Sequence, residues 1–393
     1  MKPYALCILF LCAALQSCNN PKPAAPAATA NSTPPDTTRV AAAPVAVPIA
    51  YSPDLEKEQA ALQHKLEKLS TPSQHLTASA KAPSIVRGAL GSRILVVPKD
   101  MVTPEGQPVT EDIDVELKEM PGVEQMLMQG AQTMSNGRLL ASGGAYYINM
   151  TSGGQQLSLK LNKTMKVLLP KNTDQQMKLF YGNKDEDGVM NWTPTPQQFK
   201  NFDVDSSAFL FAGTNTTSYF SAYECRGAVS KDLIAQLKKI EELASLFDEK
   251  PSLRDTTPVK AQKTLKRYET LANTIYNEII VQKFGWINCD RFLGSQTVTT
   301  LACGFDPKDS IPYAKIYLVF KSINSLMEEQ YAYNTGASFR NVPTGMQATV
   351  IAIAMKKGKL FTSRKDVEID KRHAVILSMK PTKDNDVAAL FKI

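Results

Sequence analysis

The spacing of hydrophobic residues changes several times along the chain, and each change marks a new kind of element. Tyr4 to Leu15 is an unbroken apolar run. From Asn19 to Pro53 no period exists. Ser52-Pro53 then reads as the N-cap and first position of a helix. Leu55, Leu62, Leu66 and Leu69 recur on one face of it. From Ser84 the period becomes two. Arg93-Ile-Leu-Val-Val-Pro98, Ile113-Asp-Val-Glu-Leu-Lys118, Ala145 to Met150, Leu157 to Leu161, Met165 to Leu169 and Met177 to Tyr181 read as short strands separated by Gly, Asn, Asp and Pro. That spacing predicts an antiparallel β-sandwich. After Gly227 the spacing is helical again: Leu233, Leu237, Ile240, Ala244 and Phe247 share one face, and Thr257-Pro258 opens a second helix with Ala261, Leu265, Tyr268 and Ala272 inward. Strand signals return in Ile279 to Trp286, Val298 to Ala302, Ala314 to Phe320, Ala348 to Ala354, Leu360-Phe361 and Ala374 to Leu377. The chain is therefore expected to be mainly β, with a helical pair between two β-rich modules.

The apolar run after Lys2 is too short to span a bilayer, which needs about 20 apolar residues, and suits the h-region of a secretory signal peptide. It ends in Leu15-Gln16-Ser17-Cys18. This resembles the lipobox of bacterial lipoproteins, which implies cleavage before Cys18 and lipid on its sulfur. Ordinary secretion with cleavage nearby is the alternative. Several acyl chains would hold the protein on a membrane far more firmly than one, at about 0.8 kcal/mol per buried CH₂. The expected address is the cell envelope, lipid-anchored at the outer membrane, on its periplasmic face or the cell surface. Residues 19–53 hold eight prolines and ten alanines, with only Lys22, Asp36 and Arg39 charged. Such a stretch buries too little to fold and is expected to be an extended tether.

The net charge of +7 is spread along the chain, with basic and acidic residues interspersed. Nucleic-acid binding would want a concentrated basic face with interleaved aromatics, and none is expected. Lys260, Lys263, Lys266 and Arg267 read as a solvated helix face. Beyond the anchor the cysteines are Cys225, Cys289 and Cys303. An envelope location permits disulfides. Cys289 and Cys303 flank an expected hairpin and are the preferred pair, closing a loop that would contribute roughly 3 kcal/mol. The alternative is three buried free thiols.

Two segments carry a resemblance. Gly91-Ser-Arg-Ile-Leu-Val-Val-Pro98, Gly106-Gln-Pro-Val109, Asp114-Val-Glu-Leu117, Gly137-Arg-Leu-Leu140 and Lys163 to Pro170 resemble the ZU5-like β-sandwich of Gram-negative envelope lipoproteins. Phe284-Gly-Trp-Ile-Asn-Cys-Asp-Arg-Phe292 is similar to the segment that follows such a sandwich in the same lipoproteins. Val342-Pro343-Thr344-Gly345 before a long strand resembles turns of Ig-like and transthyretin-like modules. The implied organisation is a signal peptide (1–17), lipidated Cys18 and tether (18–53), helix and linker (54–84), ZU5-like sandwich (85–225), helical segment (226–284) and C-terminal Ig/transthyretin-like sandwich (285–393). Some ZU5 domains cleave themselves at His-Phe-Ser. Tyr219-Phe220-Ser221 lacks the histidine suited to activating the serine, so no self-cleavage is expected.

Candidate chemistry is sparse. His64, His75 and His373 are the three histidines, and no G-x-S-x-G elbow, H-E-x-x-H, C-x-x-C, Walker A or G-x-G-x-x-G accompanies them. His373 reads as an exposed turn residue. Asn183-Lys-Asp-Glu-Asp-Gly188 has the first half of a calcium loop, but Pro194 stands where a bidentate Glu belongs, so a polar hairpin turn is expected. Asp36-Thr37-Thr38, Asp255-Thr256-Thr257 and Asp309-Ser310-Ile311 resemble a bacterial O-glycosylation sequon. No catalytic residue, metal or cofactor is expected. Trp286, Asn288 and Asp290 are the candidate binding residues, with Trp286 as platform and the other two as polar contacts. The plainer reading puts Trp286 in the core of a domain corner, propped by the polar pair. These features point to a non-catalytic envelope lipoprotein that binds, scaffolds or assembles an envelope protein or glycan. The rival is a glycan-directed hydrolase working through carboxylates.

The thiol of Cys18 is the only acceptor for lipid in this reading. Cys18→Ala is expected to leave the protein soluble or trapped as precursor, read by fractionation after carbonate washing; retention in the washed membranes would refute the anchor.

Overall fold

A computed structural model describes residues 53–70, 72–201, 231–247, 249–251, 256–332, 336–370 and 374–392. The signal peptide, Cys18, the tether, Tyr219-Phe220-Ser221, Cys225, Asp255 and His373 lie outside them. The chain is mainly β, built from antiparallel sheets packed as sandwiches. Among the described residues no helix is long and apolar enough to cross a membrane.

A central sheet runs in the order Gln74–Ala78, Ile113–Met120, Arg138–Ser152, Gly285–Phe292, Lys178–Lys184, Met190–Gln198. Every neighbour along that path is antiparallel. A second sheet, in the order Lys200–Asn201, Tyr276–Val281, Met165–Pro170, Arg93–Val96, Ser84–Arg87, lies over one face of it. The period of two decides which side chains meet. Ile113, Val115 and Leu117 face Ile94, Val96, Val167 and Leu169 in the core between the sheets. Leu95 and Leu168 point the other way, against Leu237, Ile240, Tyr268 and Ala272 of the helices Lys231–Ser245 and Pro258–Ile275. Thr257 caps the second helix by accepting from the Lys260 amide at 3.4 Å, with Pro258 behind it. Arg93 ties the helical pair to the sheet. Its Nε and Nη2 donate to the Leu246 carbonyl at 3.2 and 3.0 Å.

This pairing corrects the expected domain limits. The first sandwich begins at Gln74, inside the stretch read as linker. It also ends after the helices, because Tyr276–Val281 and Gly285–Phe292 complete its two sheets. A single strand signal from Ile279 to Trp286 is in fact two strands. The C-terminal module therefore starts beyond Phe292. The preferred disulfide is corrected for the same reason. Cys289 and Cys303 are both free and buried. Cys289 lies in the first sandwich core and Cys303 in the C-terminal one.

The C-terminal module packs the sheet Ser325–Ala332, Tyr313–Phe320, Gln347–Lys356, Lys359–Glu368, Lys380–Pro381 onto the sheet Ala337–Pro343, Val298–Phe305, Ala374–Leu377. The last two strands of the smaller sheet are parallel. Ala314, Ile316, Leu318 and Phe320 face the core of this module. Tyr313, Tyr317 and Val319 face the other way, against Phe180, Trp192 and Leu140 of the central sheet. The larger sheet is thus covered on both faces, which explains the uninterrupted apolar run Val350 to Ala354. The short helix Val123–Met128 fills part of the seam with Met126 and Leu127. Helix Pro53–Leu69 closes one side of it, with Leu62 fully buried and Lys65 paired to Asp384.

One buried carboxylate organises the start of the sandwich. Glu119 is 4 % exposed. Its oxygens accept from Gln74 Nε2 at 2.8 Å and from the amides of Leu90 and Ser92 at 2.7 and 2.9 Å. Gly88 lies against the same carboxylate, and a Cβ there would come within 2.6 Å of it. Removing the acceptor leaves two backbone donors unpaired, at about 1–3 kcal/mol each. Glu119→Ala is expected to lower stability by about 3 kcal/mol, measured by urea unfolding; a loss within experimental error would refute this role.

Candidate ligand cleft at Trp286

The strand Gly285–Phe292 carries all three candidate residues, and its pleat puts them on one face. Ile287 and Cys289 point into the first sandwich core. Trp286, Asn288 and Asp290 point toward the C-terminal module. Trp286 stands in a row across the central sheet, paired with Tyr147, which in turn pairs with Lys118. On its other side is Gly182. A Cβ there would lie 2.5 Å from the Trp192 ring and 2.8 Å from Trp286 Cβ, so only glycine lets the two tryptophans flank this point.

The two tryptophans then part in role. Trp192 is fully buried and donates from Nε1 to the Gln132 carbonyl at 2.6 Å. Trp286 is half-buried. Its ring lies 5.0 Å from that of Tyr147 and 5.4 Å from Lys184 Nζ. The plainer expectation puts Trp286 in the core of a domain corner; the fully buried tryptophan is Trp192, and Trp286 packs, partly buried, against the same cluster. Trp286 packs at the margin, where the helix Pro53–Leu69 and the C-terminal module leave a gap.

Asn288 and Asp290 are fully buried and do not line that gap. Asn288 Nδ2 donates to Asp290 Oδ2 at 2.6 Å, and Ser142 Oγ donates to Asn288 Oδ1 at 3.2 Å. The register shifts here, opposite Gly143-Gly144, and Gly144 has φ of 121°. The Gly144 amide donates to Ser142 Oγ at 3.0 Å. Among the described residues, Asp290 Oδ1 has no hydrogen-bond partner. Burial pushes the Asp290 carboxyl well above the usual range, with the Ser142 hydroxyl opposing. Burial also raises the Cys289 thiol, helped by the charge of Asp290. The pair props the seam rather than contacting a ligand.

The gap is a cleft of about 210 Å³. Trp286, Lys118, Tyr317 and the largely buried Lys315 and Glu328 line it together with the exposed Lys184, and Gln63, Glu67 and Ser70 of the first helix stand on its other side. Lys315 Nζ pairs with Glu328 Oε1 at 2.7 Å, and both side chains are largely buried. Among the described residues, Lys118 Nζ and Lys184 Nζ hydrogen-bond to Gln129, at its side-chain and main-chain oxygens, each 3.4 Å away, with no carboxylate bonded to either. Desolvation lowers the Lys184 pKa; Lys315 and Lys118 push the same way, while Glu328 and Glu67 oppose. The arrangement offers an aromatic platform, two ammonium groups with no carboxylate bonded to them, and exposed acceptors at the rim. None of the lysines was singled out from sequence. Lys315 alone left a trace, as the one charge inside Tyr313 to Phe320.

The other sequence candidates lie elsewhere. Asp185 Oδ1 accepts from the amides of Asp187 and Val189 at 3.1 and 2.8 Å, so Asn183 to Gly188 is a hairpin turn stabilised by its own carboxylate. His75 Nδ1 lies 2.9 Å from Asp114 Oδ2 on an exposed strand, which raises its pKa. Among the described residues no group of His, Cys, Asp or Glu could hold a metal ion. No family model matches the chain, and neither does a curated protein or a solved structure.

The buried Asp290 has a pH signature. A carboxyl whose folded pKa is raised keeps its proton in the folded state after the unfolded chain has lost it. Stability therefore falls as pH rises from about 4 through the raised value. Asp290→Asn removes that fall. The melting temperature of the variant relative to the unmodified protein is expected to climb between pH 4 and pH 8. A constant difference would show that Asp290 is not held neutral.

Proposed function

We propose that this chain is a lipid-anchored protein of the bacterial cell envelope, attached at the outer membrane through Cys18. Its folded part binds an envelope component in the Trp286 cleft without altering it covalently. The lipobox and the Pro/Ala-rich stretch support the address. The observation that carries the binding reading is the half-exposed Trp286 ring in a cleft with Lys118 and Lys184, backed by the rigid sheets of both modules. The resemblance to ZU5-like envelope lipoproteins points the same way. Glu328 is the inner carboxylate of the cleft, and it is held by Lys315. That favours binding over carboxylate-based hydrolysis, since a general acid must present its oxygen to the substrate and this one is bonded to an ammonium group.

Full-length protein immobilised in detergent is challenged with soluble glycans released from envelopes of the same cells. Because Trp286 is only half-buried, Trp286→Ala should melt within a few degrees of the unmodified protein and still fractionate with membranes. It should lose glycan capture by about tenfold or more, which is 1.4 kcal/mol. Unchanged capture by a folded Trp286→Ala would overturn the assignment of the cleft.

A further inference from the structure

We infer that the Trp286 cleft takes an acidic sugar, a single pyranose ring bearing a carboxylate, with the ring over Trp286 and the carboxylate toward Lys118 and Lys184. This rests on the binding reading above and adds the chemical class of the ligand.

Size comes first. A volume of about 210 Å³ falls below the roughly 300 Å³ at which drug-sized pockets begin, so the cleft admits one ring rather than a chain segment. The hollow of about 590 Å³ beside Lys57, Glu58 and Lys357 is larger, but its lining has no aromatic side chain.

The platform comes next. The face of an indole is electron-rich and attracts groups with positive edges, such as the C–H face of a pyranose. The Lys184 ammonium, 5.4 Å from the ring centroid, already exploits that face. A flat apolar ligand would leave the surrounding polar groups unpaired. A ring with C–H groups on its face and hydroxyls on its edge does not.

Charge then selects the acid. Of the lysines here, Lys315 is neutralised by Glu328. Among the described residues, Lys118 and Lys184 bond to amide oxygens of Gln129 alone, at the outer limit of hydrogen bonding. Desolvation disfavours Lys184 as a cation, while the charges of Glu328 and Glu67 on it oppose those of Lys315 and Lys118. An incoming carboxylate forms charge-assisted bonds to the two ammonium groups. Glu67 and Asp187 at the rim are exposed. They stand where sugar hydroxyls need acceptors. A bare phosphate or sulfate would use the lysines and gain nothing from Trp286 or the rim. The mixed lining therefore fits a polyhydroxylated acid better than a simple anion.

The test uses the two tryptophans of the chain. Their indole N–H signals are resolved by NMR in the full-length protein in detergent, and Trp286→Phe assigns one of them. Methyl glucuronide, methyl glucoside and inorganic phosphate are titrated separately. Methyl glucuronide should shift the Trp286 signal and bind about tenfold or more tighter than methyl glucoside. The Trp192 signal should stay in place, which also reports that the core is intact. Lys184→Met should erase the preference for the glucuronide while leaving the Trp192 signal unchanged. Equal affinity for the two sugars would overturn the inference, as would a Trp286 response to phosphate alone or no response to any probe. The binding reading is judged separately, by glycan capture in Trp286→Ala.

Discussion

The pairing of Gly285–Phe292 between Arg138–Ser152 and Lys178–Lys184 is the interaction on which the rest depends. Without it the central sheet would split into two short ribbons, each with an open edge in the middle of a hydrophobic layer. Unpaired backbone groups there would have no water to turn to. The helical pair is what makes the insertion reachable. It carries the chain across the outer face of the second sheet and delivers it, through Tyr276–Val281, back to the core. The first sandwich is therefore closed by strands that follow the helices in sequence. Contacts of such long sequence separation make folding slow relative to a local hairpin stack. They also weld the helices to the module, so the three parts read as separate along the chain form one structural unit.

Most of this was legible as elements and little of it as connections. Met165 to Leu169 and Ala314 to Phe320 stood out as short, mostly apolar runs because both of their faces are buried, and alternation in Ile113 to Lys118 marked a strand with one face in a core. The helical faces at Leu233 to Phe247 and Ala261 to Ala272 were plain for the same reason. Partner choice left no such mark. Nothing local in Trp286-Ile-Asn-Cys-Asp-Arg distinguishes a strand that opens a new module from one that completes the old. The assumed module boundary made Cys289 and Cys303 look like the two sides of one hairpin. In the fold they are separated because pleat and register send them into different cores.

The seam between the modules shows what polar residues do when both sides are buried. Thr133 exchanges hydrogen bonds with Leu326, its amide donating to the carbonyl at 2.9 Å and the Leu326 amide donating to Thr133 Oγ1 at 3.0 Å. Gln132 Oε1 accepts from the Glu328 amide at 3.0 Å, and Asn324 Nδ2 donates to the Pro121 carbonyl at 3.0 Å. These bonds add little net stability compared with the apolar cluster around Trp192 and Phe180. Each is costly to misalign, however, and together they select one register of module against module. Asn288, Asp290 and Ser142 belong to this set. They looked like ligand contacts in the sequence because a run of polar side chains in a strand has two explanations, a wet surface or a dry seam, and local pattern does not separate them.

The cleft is the place where that seam ends. Lys315 and Glu328 sit on adjacent strands of the larger C-terminal sheet, on the face turned to the first sandwich, where Tyr317 and Val319 are apolar. A buried ion pair contributes little there, and two well-packed apolar side chains of similar volume would be as stable or more so. Stability alone gives no reason for a carboxylate and an ammonium at these positions. Their placement makes sense together with Lys118 and Lys184. Glu328 offsets Lys315 inside the pocket, and the exposed Glu67 and Asp187 at the rim balance Lys118 and Lys184, so opposite charges stand apart in a partly dry pocket. Fields act strongly in such a place because water screens them poorly. The same insertion that closes the first sandwich sets Trp286 at the edge of this field. The binding platform is therefore a consequence of how the sheets are joined.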